Sequence, residues 1–170
     1  MVQKIGQITN ADLYLNSTDV KGRVAEFTPD DLSLTEVEHK TLGMIGVLKL
    51  PGRPVDAIGA KIKFAWLDEA IERGLINPTK RQTIQMHSYV DVFDETGLNV
   101  EKSHTLVTHV GFQLMSHGLL SGKIGDAVGV EHSITIPSFS QKVYGDSTPI
   151  VEFDVFASIY NVNGEAVWPT

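Results

Sequence analysis

Apolar and polar side chains alternate with period two over most of this chain, the pattern of strands with one buried face. Ile58, Ala60, Ile62, Phe64 and Trp66 share one side of such a run, with Lys61 and Lys63 on the other. A second run sets Ile84, Met86, Ser88, Val90 and Val92 against Gln85, His87, Tyr89 and Asp91, and a turn at Glu95, Thr96 and Gly97 follows it. Further strands are expected over 106–114, 130–136 and 151–159, the last with Glu152 and Asp154 facing away from Phe153 and Val155. Upstream, 23–27 and 32–39 read as strands separated by a turn at Pro29, Asp30 and Asp31. Asn163-Gly164 supplies the positive φ of a tight closing hairpin. Only 67–73 reads as a helix: Asp68 and Glu69 sit near its positive N-terminal end, and Gly74 is placed to terminate it.

Residues 40–57, KTLGMIGVLKLPGRPVDA, break the alternation. Leu42, Met44, Ile45, Val47, Leu48 and Leu50 are interrupted by Gly43 and Gly46, then by Pro51, Gly52 and Pro54. The pattern predicts an extended arm or long hairpin with a bend at its tip, and Pro51, Gly52, Arg53 and Pro54 are expected at its far end. Its apolar side chains either complete the protein's own core or are covered by a neighbouring subunit. An uncovered apolar arm would be an aggregation site.

The 170 residues suit a single domain, 1–170, with 40–57 as the arm, and no linker, internal repeat or low-complexity tract divides them. Folding a chain of this size buries roughly 69% of its extended surface, enough for a core without staples. Disulfides, thiol catalysis and thiolate metal sites are impossible with no cysteine. A net charge of -7 argues against a dedicated nucleic-acid binder, which gains affinity by neutralising phosphates. No run approaches the ~18 apolar residues of a membrane span, and MVQKIGQITN has no apolar stretch after its lysine, so neither membrane insertion nor a secretory signal is expected.

Candidate chemistry is sparse. His104 and His109 differ by an odd number and should point to opposite faces of one strand, whereas His109 and His117 share a face roughly 26 Å apart, too far for one metal ion. Gly118-Leu-Leu-Ser-Gly122-Lys123-Ile124 misses the phosphate-loop spacing by one residue and lacks the Ser or Thr after the lysine, so a strand-connecting turn is expected. Asp94 and Glu95 fall in a hairpin tip, and Asn16-Ser17-Thr18 reads as a turn rather than a glycosylation site. No nucleophile elbow, metalloprotease helix or dinucleotide fingerprint is present; no catalytic residue, metal or cofactor is expected.

The segment 149–168, PIVEFDVFASIYNVNGEAVW, is similar to the closing strand and Asn-Gly turn of major tail tube proteins of contractile-tailed bacteriophages. The front resembles them too: a short strand around 12–15, Gly22-x-Val24, an acidic turn, then Gly43-Met44 leading into the arm, with the strand over 61–67 and its following helix in order. The resemblance implies a mainly β fold, a β-sandwich or half-barrel with one short helix and a long arm. Six copies would close a ring, and rings would stack into a tube inside a sheath, joined to a baseplate and filled by a tape-measure protein before DNA passes. It places the protein in the virion, assembled in the host cytoplasm, as a structural protein and not an enzyme. On this reading Leu42, Met44, Ile45, Val47, Leu48 and Leu50 pack on adjacent subunits. Carboxylates among Asp30, Asp31, Asp91, Glu152 and Asp154 then face the lumen, or else an ordinary solvated exterior. Type VI secretion tubes and phage-tail-like bacteriocin tubes share the architecture; a small β-barrel ligand-binding module or hydrolase is the reading from another class.

Overall fold

The computed structural model describes residues 4–20, 23–66, 68–119 and 129–168. In chain order the elements are β1 (Ile5–Leu15), β2 (Thr18–Asp19), β3 (Val24–Pro29), β4 (Leu34–His39), β5 (Leu48–Val55), β6 (Gly59–Phe64), α1 (Glu69–Leu75), β7 (Gln82–Asp94), β8 (Gly97–Leu98), β9 (His104–His117), β10 (Val130–Val143), β11 (Val151–Asp154), β12 (Ile159–Val162) and β13 (Glu165–Ala166). Among the described residues eleven strands form one antiparallel sheet whose main path runs β13-β12-β11-β10-β9-β7-β1-β2. The other two, β4 and β5, pair only with each other.

The sheet branches at β10. Residues 130–135 pair with β6, which pairs in turn with β3, whereas residues 138–141 pair with β11. Pro137 sits at the switch, where it has no N–H to give to either ladder and the register with β9 shifts. Because of this branch, β6 and β3 fold back over the main sheet as a half-barrel. Between them lies the core, in which Ile58, Ala60, Ile62 and Phe64 meet Ile84, Val110, Phe112 and Ile134. Leu15, Ile84, Val110, Phe139, Phe153 and Tyr160 stand in register across six strands and form one continuous apolar row.

Five local expectations need correction. The helix runs past Gly74 to Leu75, because Leu75 is fully buried and its carbonyl accepts from the Gln82 side chain at 3.1 Å; Asp68 caps its start by accepting from the Ala70 amide. The single strand over 151–159 is two, split by a turn in which Asp154 accepts from the Phe156 and Ala157 amides and Ser158 takes φ 56. Trp66 leaves the apolar row and lies half-exposed beneath the Arg23 guanidinium, 5.5 Å from its ring centre. Met115 is an extra residue, since Leu114 pairs with Ile134 and Ser116 with Ser133. This bulge turns His117 to the opposite face from His109. Finally, Pro51, Gly52, Arg53 and Pro54 lie at the base of the arm and not at its far end. Gly22, Leu67 and the proposed turn residues from Leu120 to Lys123 lie outside the described residues.

Other turns form as read. Asn16 and Ser17 reverse the chain between β1 and β2 with φ 48 and 67, and the Asn16 amide is spent on Gln82 and the Thr83 N–H. Asn163 and Gly164 close β12 onto β13 with φ 53 and 80.

Candidate functional site: a projecting hairpin and a polar sheet face

The arm is the β4-β5 hairpin, with the loop 40–47 as its tip. Thr41 and Met44 close a turn through the Met44 N–H and the Thr41 carbonyl at 3.2 Å, and Gly43 supplies φ 90. At the base, Leu34 faces Val55 while Glu36 faces Pro51, so β5 carries two extra residues opposite Thr35. Glycine is required there: a Cβ on Gly52 would lie 2.8 Å from the Thr35 carbonyl oxygen. The Thr35 hydroxyl ties the bulge down by reaching the Pro54 carbonyl and Asp56.

Alternation makes this hairpin amphipathic. Val37, Leu48 and Leu50 occupy one face, and Glu36, Glu38 and Lys49 the other, where Lys49 pairs with Glu36 at 2.5 Å. Every predicted arm residue is exposed: Leu42 and Ile45 completely, and Met44, Val47, Leu48 and Leu50 by about half. None of the six belongs to the core.

The second surface is the side of the main sheet that faces away from the core. Tyr14, Gln85, His109, Ser140, Glu152 and Asn161 run across it in register, a polar row parallel to the apolar one. Asp91, Glu152 and Asp154 therefore share one face, together with Arg81, His87 and Lys142. Asp30 and Asp31 are elsewhere, in the loop after β3; Asp30 accepts the Gly59 N–H at 3.1 Å and borders an apolar cavity of about 300 Å³ lined by Phe27, Ile58, Met86 and Phe139.

Each carboxylate of the polar face has local work. Asp91 accepts from Thr9 at 2.8 Å and Glu152 from Asn161 at 3.3 Å. Asp154 is held below the usual carboxylate range by the Ala157 amide, helped by the Phe156 amide and by Arg81 at 3.5 Å. Arg81 itself bonds the Ser138 hydroxyl and stacks over Phe156, 5.7 Å from the ring centre, so it pins the β11-β12 turn to the sheet. Only Gly111 permits this, since a Cβ there would come within 3.0 Å of the guanidinium. Asp94 is a turn residue: the Thr96 hydroxyl, then Asn99, lower its pKa to about 2.

Sequence reasoning missed one pair. His117 and His132 stack with ring centres 4.8 Å apart and share an Nδ1···Nδ1 hydrogen bond of 3.1 Å. His132 is fully buried against Phe64; burial, then the neighbouring His117, push its pKa down to about 4. The apolar parity of His132 with Val130, Ile134 and Ile136 was the available signal. Among the described residues no three His, Asp or Glu side chains group as a metal site would.

Two solved structures of an extracellular contractile injection system, PVC, are similar in fold. The sheath/tube terminator in its extended state superposes with a TM-score of 0.56 at 10% identity, covering 80% of this chain and 95% of that one. A chain of the sheath-tube complex in its extended state gives 0.57 at 11%, covering 81% and 90%. No match is found among curated proteins. A family model described as "Phage tail tube protein FII" matches residues 5–168, nearly the whole of the exposed hairpin, half-barrel and closing strands described above, and the chain belongs to that family.

Proposed function

We propose that this structural protein, a virion component by its family, closes into hexameric rings that stack as the inner tail tube of a contractile tail. The observation that carries the reading is the exposed hairpin: Leu42 and Ile45 stand fully in solvent in the lone chain, and each gains about 1.5–3 kcal/mol when covered. Repetition around a ring and along a stack multiplies that gain. The surrounding sheath is the natural partner, since the similar chain of the injection system is part of a sheath-tube complex. Baseplate and tape-measure proteins complete the assembly, which forms in the host cytoplasm.

The polar sheet face lines the lumen on this reading, and DNA passes along it. Asp91, Glu152 and Asp154 outnumber Arg81 and Lys142 there, and the small net negative charge repels phosphates and lowers friction, where a basic lining would retain them through counterion release. Asp30 and Asp31 stand on the core side and take no part. Secretion and bacteriocin tubes need the same subunit surfaces and differ in cargo.

Negative-stain electron microscopy of the purified chain tests assembly. The wild type forms rings or hollow tubes, and Leu42→Asp with Ile45→Asp leaves a folded monomer. Tubes from that double variant refute the arm's role. Undiminished DNA delivery by particles carrying Glu152→Lys and Asp91→Lys refutes the lubricating role.

A further inference from the structure

We infer that the hairpin tip of one copy seats in a cleft at the base of the hairpin of the next copy. The inference rests on the self-assembly proposed above and names the receiving site. The cleft, about 450 Å³, opens between Arg53 and Val55 of β5 and the closing strands, where Ile159, Tyr160, Ala166 and Trp168 line it. A volume of this size falls within the range of small-ligand sites.

Three observations select the tip of a second copy as its occupant. The first is an apolar match. The cleft is lined by Val55, Phe153, Ile159, Tyr160 and Trp168. At the tip Leu42 and Ile45 stand fully in solvent and need a cover of that kind.

Second, the cleft holds an incomplete hydrogen bond. The Trp168 indole N–H is buried and has no acceptor among the described residues, while the Arg53 guanidinium lies over the ring at 5.8 Å. An unmade bond at a buried donor costs about 1–3 kcal/mol. The tip brings carbonyl groups that side chains do not screen, since Cβ positions at Gly43 and Gly46 would touch nothing within 4 Å. Displacing Arg53 from the indole lets a tip carbonyl accept.

Third, no chain can fill its own cleft. The tip begins at one end of β5 and the cleft lies at the other, eight residues or roughly 23 Å away. Tip-into-base contact is therefore heterologous, and a heterologous contact propagates into closed rings or open filaments. Both surfaces needed for unlimited assembly sit at opposite ends of one hairpin.

The chain's lack of cysteine makes a clean cross-linking test. Ile45→Cys places a thiol on the tip and Ala166→Cys one in the cleft. Mixed and mildly oxidised, the two single variants should give a covalent heterodimer, and a chain carrying both should give a ladder on non-reducing gels. Each single variant alone, and a mixture with Tyr144→Cys in place of Ala166→Cys, serves as the control for random collision. Tubes seen by electron microscopy without a ladder overturn the cleft assignment and leave self-assembly standing. A ladder no stronger than the Tyr144 control does the same. The absence both of tubes from the wild type and of dimers from the mixture overturns both readings together.

Discussion

Replacing His132 by phenylalanine should abolish a specific acid sensitivity of this fold. In the native chain His132 is fully buried, stacked on His117 and edge-on to Phe64, with a folded pKa of about 4 against 6.5 for the ordinary side chain. The groups that face it are His117 and, through the His117 Nε2, Glu72 at 3.6 Å. A depressed histidine pKa means that the unfolded chain binds more protons than the folded one between pH 6.5 and 4. Stability is therefore fully present above pH 6.5, falls as pH drops through that window, and levels below 4. At pH 5 the loss is about 2 kcal/mol relative to pH 8, which for a chain of this length lowers the melting temperature by roughly 4–8 °C. The variant pays a different cost, since it lacks the Nδ1 bond to His117 and should be about 1 kcal/mol less stable at pH 8. Thermal melts of both proteins at low concentration from pH 8 to 4.5 should thus cross at pH ~6, with the variant the more stable by about 1 kcal/mol at pH 5. Parallel pH profiles for wild type and His132→Phe would refute the buried-neutral assignment.

Gly52→Ala should distort the base of the hairpin, because its Cβ meets a backbone carbonyl, and should lower stability by about 1–3 kcal/mol; Gly46→Ala, in open space within the lone chain, should leave the melting temperature unchanged. Arg81→Ala releases the β11-β12 turn by removing its contacts to Ser138, Asp154 and Phe156, and faster protease cleavage at residues 155–158 would report it. Gln82→Leu leaves the Leu75 carbonyl and the Asn16 amide without their partner and should cost about 1–3 kcal/mol by urea titration.

Period-two alternation located seven of the thirteen strands among the described residues, β3, β4, β6, β7, β9, β10 and β11, because nearly all of these have one face on the core and that requirement is written residue by residue, as in Ala60, Ile62 and Phe64. It gave no sign of the length of β1, whose first seven residues are exposed. What alternation cannot carry is an inserted residue. Met115 reverses the parity of everything after it on β9, so the apparent face of His117 came out opposite to the true one. The strand end at Asp154 was hidden for a related reason: Val155 and Phe156 are as apolar as a buried strand, and the turn is enforced by the Asp154 carboxylate and by Arg81, which is distant in sequence. Gly74 carries the local signal of a helix end, but Leu75 lies beyond it because Gln82 supplies an acceptor's partner from the next strand. The arm residues were legible as an interruption of the pattern. The cleft at its base was not, since it is assembled from residues more than a hundred positions apart, Arg53 and Trp168.

The strand that branches at Pro137 also sets the timing of folding. β10 supplies ladder partners to β9, β6 and β11, so neither layer of the half-barrel is complete until Val143 has been made. Roughly 80 residues separate the end of β6 from that point, or about 4–16 s of synthesis. During that interval the hairpin has been made and the closing strands that wall the cleft, from Phe153 to Trp168, have not. On the tip-into-cleft reading proposed above, a nascent subunit can offer a tip before it can accept one, and the order of elements along the polypeptide acts as a clock that delays growth through it until Trp168 has been made.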